Sequence, residues 1–132
     1  MKTIIGFLNV SQRSDKHVAD NLNKLFNHNS SFDLLLATDK PYSRDYPVSI
    51  QIKIDKNLFT VAASKNMILK YAQEHNYDFC FIVEDDVIIE DLSIFDEYIA
   101  LIEKYNLGIV FFGFGGNANK VFEKPNPRLI IK

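Results

Sequence analysis

Hydrophobic residues along the chain alternate between short runs of β-forming residues and stretches with helical spacing. Residues 3–10 are rich in such β-forming residues and lead into a polar segment, which predicts a first strand followed by a loop. A helix with one apolar face is expected next, ending near Asn27. The residues of that face recur at i, i+4, i+7 and i+8, and they are Val18, Leu22, Leu25 and Phe26.

The middle of the chain predicts two further strands and a second helix. Residues 32–37 form a short apolar run, which is typical of a buried strand. Apolar and polar residues alternate from Val48 to Ile54, which predicts a strand with one solvent-facing side, near an edge of the sheet. Residues 60–75 have a helical composition, and we expect their apolar stripe to contain Ala63, Met67 and Tyr71.

The last part of the chain predicts two or three more strands and one helix. Residues 79–83 are apolar on both alternating faces, which favours the central strand of a parallel sheet covered by helices. Ser93 and Asp96 have the spacing of a capping box, and a helix is expected from there to about Tyr105. Residues 109–112 predict a buried strand, and residues 129–131 a hairpin or an added edge strand.

This alternation of strands and helices predicts an α/β fold, with a Rossmann-like, mostly parallel sheet flanked by helices. The length of 132 residues fits a single domain over residues 1–132. In such sheets the ligand crevice lies at the carboxyl ends of the strands. Functional residues are therefore sought in the segments that follow the strands.

Charge and composition exclude several classes of protein. A formal net charge of −2 argues against nucleic-acid binding, which needs a strong positive field. The apolar start of the chain is too short for a transmembrane segment and does not resemble a signal peptide, so we expect a cytoplasmic protein. The single cysteine, Cys80, lies in an apolar run and is expected to be a buried thiol.

Three consecutive carboxylates, Glu84-Asp85-Asp86, follow the apolar strand at residues 79–83, and we call them the acidic segment. If the chain stays extended there, Glu84 and Asp86 lie on one side and Asp85 on the other. Carboxylates this close together need a compensating cation or hydrogen-bond donors. Mg²⁺ and Mn²⁺ prefer such oxygen ligands, although a solvated acidic turn is the alternative interpretation.

At these residues the chain resembles the GT-A glycosyltransferases of the family 2 type, whose metal motif is Asp-x-Asp or a variant that ends in aspartate. The variant here runs Ile82-Val83-Glu84-Asp85-Asp86-Val87. Upstream, Ala62-Ala63-Ser64-Lys65-Asn66 looks like the family's helix before the metal strand, with Lys65 in place of the usual arginine. Lysine keeps the charge but lacks the planar fork that binds phosphate in a bidentate way. The resemblance covers residues 3 to about 112.

The resemblance implies a role for each residue of the site. Asp86 would bind Mn²⁺ or Mg²⁺, and Asp39 would hydrogen-bond a uracil ring. For Asp39 a turn residue is the alternative, and for Lys65 an exposed helix residue. The implied nucleotide-sugar-binding residues are Asn9, Val10, Ser11, Asp39, Lys65, Glu84 and Asp85.

The reaction that the resemblance implies is transfer of a sugar from a nucleoside diphosphate, with UDP favoured, to a glycan, lipid or protein acceptor. No residue is assigned as the catalytic base, since family members carry it in a longer second half. The main alternative is a noncatalytic nucleotide-sugar-binding module or an isolated half of a transferase. A receiver-like signalling domain is disfavoured, because it needs acids near the end of the first strand, where this chain has Asn9-Val10-Ser11.

Overall fold

A computed structural model of the protein describes residues 2–9, 16–28, 31–39, 47–55, 61–85, 87–111 and 128–130. The chain divides into two compact units, Met1–Glu90 and Asp91–Lys132. Within the described ranges, none of the helices combines the length and the apolar composition that crossing a lipid bilayer requires.

The first unit contains a four-stranded, wholly parallel sheet and two helices, which confirms the expected Rossmann-like α/β class. The strand order is β3-β2-β1-β4. The elements, in chain order, are β1 (Thr3–Asn9), α1 (Lys16–Asn27), β2 (Asp33–Thr38), β3 (Ile50–Lys53), α2 (Val61–Glu74) and β4 (Phe79–Val83).

The strand order creates a switch point between β1 and β4. From β1 the chain proceeds outward through β2 to β3, and it then crosses back to form β4 on the other side of β1. The edge position of β3 was expected, whereas β4 was expected to be central and is instead, among the described strands, at the end of this sheet. An apolar run indicates that both faces of a strand are covered, and it does not indicate the position of the strand in the sheet. In β4, Phe81 is buried on one face and Ile82 packs against the core on the other.

Both helices bury a stripe that differs in part from the predicted one. On α1, Leu22 and its apolar neighbours are buried as expected, but Phe26 is 63% exposed and Asn21 is buried in its place. On α2, the predicted Ala63 and Met67 are exposed, and the buried stripe is displaced by one residue. That stripe consists of Ser64, Ile68 and Ala72.

The position of α2 depends on a glycine in the central strand. Gly6 lies in β1, and a methyl group added there would lie 2.6 Å from Cγ2 of Ile68. Ile68 is fully buried in the core formed by β1, β2 and α2. Because the backbone of β1 carries no side chain at Gly6, the helix can approach the sheet closely. This contact selects Ile68, rather than Met67, as the inward residue.

The single thiol lies against this core but is not fully buried. Cys80 is half-buried in β4 and packs against the buried cluster. Burial raises the pKa of the Cys80 thiol to about 11. The thiol therefore stays protonated at neutral pH, as expected for a structural cysteine rather than a reactive one.

Polar and aromatic contacts close the amino-terminal edge of the sheet. The backbone amide of Lys2 donates to Oδ2 of Asp78 at 2.8 Å, and its ammonium donates to the carbonyl of His75 at 3.0 Å. That ammonium also lies 4.3 Å from the ring centre of Tyr77. The Tyr77 hydroxyl donates to Oδ2 of Asp33 at 2.6 Å. The contacts join the amino ends of β1, β2 and β4, opposite the edge where a ligand is expected.

The second unit contains α3 (Ile94–Tyr105), β5 (Ile109–Phe111) and β6 (Arg128–Ile130), and β5 and β6 pair in antiparallel fashion. The helix ends where predicted, and Asn106 closes it in the left-handed conformation, with φ of 52°. The capping box was predicted wrongly, because the Ser93 side chain makes no cap hydrogen bond. Its hydroxyl donates instead to Oδ1 of Asp91 at 2.7 Å, and this contact lowers the pKa of Asp91.

Candidate functional site

The carboxyl ends of the strands in the first unit bring several of the predicted site residues to one edge. Asn9 ends β1 and pairs in register with Thr38 of β2, which in turn pairs with Lys53 of β3. On the other side of β1, Phe7 pairs with Val83, the last residue of β4. The acidic segment therefore begins beside the end of β1, at the switch point where open parallel sheets bind their ligands.

The chain turns directly after β4 instead of remaining extended. The amide of Val87 donates to the carbonyl of Glu84 at 3.4 Å, and Asp85 lies in the turn that this hydrogen bond closes. The extended conformation on which the expected alternation depended is therefore absent at Asp85. Asp85 is only 6% exposed, whereas Glu84 is partly exposed. Asp86, the predicted metal ligand, lies outside the described residues.

Two of the predicted site residues are in direct contact. The ammonium of Lys65, on α2, lies 2.9 Å from Oε1 of Glu84, with side-chain exposures of 38% and 44%. Lys65 is thereby oriented toward the carboxyl edge of β4. Because the Lys65 side chain is 38% exposed, the alternative of an exposed helix residue stays open beside the phosphate contact. The same pair gives Glu84 an internal counter-charge, which a cluster of carboxylates needs.

The end of β2 carries buried acceptors. Both carboxylate oxygens of Asp39 are inaccessible to water, and neither has a hydrogen-bond partner within the described part of the chain. The carbonyl of Asp39 accepts a hydrogen bond from the ammonium of Lys53 at 2.8 Å. Because a buried acceptor is costly unless it is hydrogen-bonded, this carboxylate is suited to a ligand that brings an N–H or O–H donor.

The loop expected to surround a nucleotide base is described only at its first residue. Asn9 is fully buried at the end of β1, and buried Thr38 lies opposite it on β2. Val10 and Ser11 lie outside the described residues. Both are buried polar residues, and such residues need hydrogen-bond partners because polar groups are costly to bury without them.

Sequence reasoning missed the residues that hold the segment after the acidic turn. Asn21 of α1 exchanges two hydrogen bonds with the backbone around Ile88, and Lys24 donates to the carbonyl of Ile89 at 3.1 Å. A signal was present in the sequence, because Asn21 is a polar residue within the apolar face made by Val18, Leu22 and Leu25. A polar residue on a buried stripe needs a partner, and the partner proves to be the chain after β4.

The donor set suits a hard cation better than a soft one. Carboxylate oxygens are the ligands preferred by Mg²⁺ and Mn²⁺, which also keep positions for phosphate and water. Within the described ranges, no three His, Cys, Asp or Glu side chains converge as a metal cage. A hard cation at this edge would therefore have one or two carboxylates of the acidic segment as its protein ligands.

Comparison with protein families, with curated proteins and with solved structures finds no match to this chain.

Proposed function

We propose that the first unit binds a nucleoside-diphosphate sugar together with Mn²⁺ or Mg²⁺, and that the protein takes part in glycosyl transfer. The observation that carries the proposal is the position of Glu84 and Asp85. They follow β4 at its carboxyl end, beside the end of β1 and at the switch point of a parallel sheet. Ligands bind at such points because the loops there diverge and open a crevice.

Recognition of the base is assigned to the ends of β1 and β2. The ring N–H of uracil, or that of guanine, can donate a hydrogen bond to the buried oxygens of Asp39. Asn9 offers a side-chain amide on the neighbouring strand. UDP is the favoured donor nucleotide, as the resemblance to GT-A enzymes implies.

The diphosphate is assigned to the edge between β4 and α2. Lys65 holds a positive charge beside Glu84, where it can also interact with phosphate oxygens. Asp86 is the proposed metal ligand by sequence motif, with Glu84 and Asp85 beside the ribose and the sugar. A bound divalent ion supplies Lewis-acid stabilisation of the charge that develops on the departing diphosphate.

The second candidate function is a module that binds the nucleotide sugar without turnover. The sequence leaves this alternative open, because no residue is assigned as the catalytic base. Both functions need the same nucleotide site, and they differ in whether the bond to the anomeric carbon is broken. The acceptor of the proposed transferase is a glycan, a lipid or a protein.

Calorimetric titration of the full chain with UDP and with GDP, in Mn²⁺ and in EDTA, tests the proposal. We expect Mn²⁺-dependent binding that the variant Asp86→Asn abolishes, while Asp96→Asn on the exposed face of α3 serves as the matched control. Absence of metal-dependent binding in a folded sample would overturn the proposed function. Release of free sugar or its transfer from the donor distinguishes the enzyme from the binding module.

A further inference from the structure

Asn21 on α1 binds the chain that leaves the acidic segment. Its Nδ2 donates to the carbonyl of Val87 at 2.8 Å, and its Oδ1 accepts from the amide of Ile89 at 3.0 Å. Asn21 is 1% exposed, so water competes little for either hydrogen bond. The side-chain amide of Asn21 therefore pairs with the backbone carbonyl before Ile88 and with the backbone amide after it, as a neighbouring strand would.

Two further contacts hold the same segment. Lys24, one helical turn after Asn21, donates to the carbonyl of Ile89 at 3.1 Å. The Ile89 side chain is 7% exposed, whereas that of Ile88 is 56% exposed. The backbone is thus fixed by polar contacts from α1, and the Ile89 side chain anchors it in the protein. Packing alone does not account for the arrangement, because Ile88 contributes little to it.

These anchors lie on both sides of the acidic segment. Before it, Val83 is paired with Phe7 in the sheet, and after it, Val87 is bound to Asn21. Three residues separate the two fixed points. Because the chain is fixed at Val83 and again at Val87, the backbone that carries Glu84 and Asp85 loses little entropy when a ligand binds.

We propose that Asn21 is a positioning residue that orients the acidic segment for the metal-bound diphosphate. The inference rests on the proposed function and adds to it a residue that touches neither ligand. At a site between Val18, Leu22 and Leu25, an aliphatic side chain would be the ordinary choice for stability. The buried amide is instead used to fix a backbone, as outer-shell partners of metal ligands do.

The test compares Asn21→Leu with Asn23→Leu in the full chain. Asn21→Leu keeps the branching of the side chain at Cγ but removes both hydrogen bonds, whereas Asn23 is exposed on the same helix. With Mn²⁺ present, we expect the Kd for UDP to rise about 10- to 100-fold in Asn21→Leu, the range seen for outer-shell changes at metal sites. In EDTA it should change less than about twofold, and Asn23→Leu should leave both constants unchanged.

Amide hydrogen exchange gives a readout that does not depend on any ligand. In Asn21→Leu the Ile89 amide should exchange faster, while the amides of β1 keep their protection. If both Kd values rise equally, or if neither does, Asn21 has a structural role and the proposal is overturned. Should Asn21→Leu fail to fold, Asn21→Asp keeps the acceptor for Ile89 and loses the donor to Val87, and the same comparison of constants applies.

The two proposals fail in different ways. If the unmodified chain shows no Mn²⁺-dependent binding of UDP, the proposed function is wrong and the role of Asn21 is overturned with it. If the unmodified chain binds as expected and Asn21→Leu binds equally well, the positioning role alone is wrong.

Discussion

The ammonium of Lys65 on α2 and the carboxylate of Glu84 after β4 form an ion pair of 2.9 Å at the proposed ligand edge. The pair links α2, the helix of the crossover from β3 to β4, to the residue that follows β4. Each partner is partly exposed, so the pair adds roughly 1 kcal/mol or less to stability. Its importance lies in charge, because Lys65 neutralises the Glu84 carboxylate, which a bound divalent cation would also neutralise.

Replacing Lys65 should affect metal binding and nucleotide binding in opposite directions. In Lys65→Met, Mn²⁺ binding without nucleotide should tighten by up to about fivefold, the factor that corresponds to an exposed ion pair. UDP binding in saturating Mn²⁺ should weaken, since the diphosphate loses a positive partner. Calorimetry or the paramagnetic effect of Mn²⁺ on water relaxation measures both constants.

Lys70→Met is the matched control, because Lys70 lies on the same helix and pairs with Glu74 at 3.8 Å in a largely exposed position. The control should leave both constants unchanged. We propose that Lys65 pairs with Glu84 in the free protein and with phosphate when the nucleotide binds. A Lys65→Met variant that weakens Mn²⁺ and UDP binding alike would contradict this.

The contact of Gly6 with Ile68 predicts an unusually strong effect of a single methyl group. Gly6→Ala should destabilise the protein by about 1–3 kcal/mol, because the added carbon meets a fully buried side chain at 2.6 Å. In an Ile68→Ala background the obstacle is gone. There the same change should be neutral or stabilising by up to about 1 kcal/mol, since alanine has less freedom than glycine in the unfolded chain. Urea unfolding of the four proteins measures the coupling, and equal costs in both backgrounds would refute it.

The phenol of Tyr77 should ionise at a higher pH than an ordinary tyrosine does. Partial burial raises the pKa of Tyr77 above its ordinary range, and the hydrogen bond to Asp33 and the negative charge of that carboxylate raise it further. Because the folded-state pKa exceeds the unfolded value of about 10, this contribution to stability is complete below pH 10 and declines as pH rises toward the folded value.

Ultraviolet titration of the phenols tests this shift. Tyr77→Phe should remove a step at high pH, whereas Tyr105→Phe, at a residue that is 53% exposed, should leave that step in place. A late step that persists in Tyr77→Phe would show that another tyrosine is responsible. The loss of the Asp33 hydrogen bond should also cost about 1 kcal/mol at neutral pH.

Local pattern was enough to predict the elements themselves. The run at residues 79–83 became β4 with the same bounds, and the helix predicted to end at about Tyr105 does so. Which side of a helix turns inward was harder to predict. On α2 the pattern favoured Met67, and the gap left by Gly6 selected Ile68. The helical period determines the spacing of the buried residues along a helix. Which face of the helix is buried depends on the element packed against it, here the gap at Gly6 on β1.

The sequence by itself determined the class of fold and the presence of carboxylates directly after an apolar strand, because hydrophobic periodicity and the order of residues are local properties. Tertiary structure alone decided that these carboxylates follow the strand beside β1, that Lys65 faces Glu84, and that Asn21 binds the chain 66 residues further on. Such contacts join residues far apart in sequence, and their partners are set by the strand order and by the packing of each helix on the sheet. No local pattern contains that information.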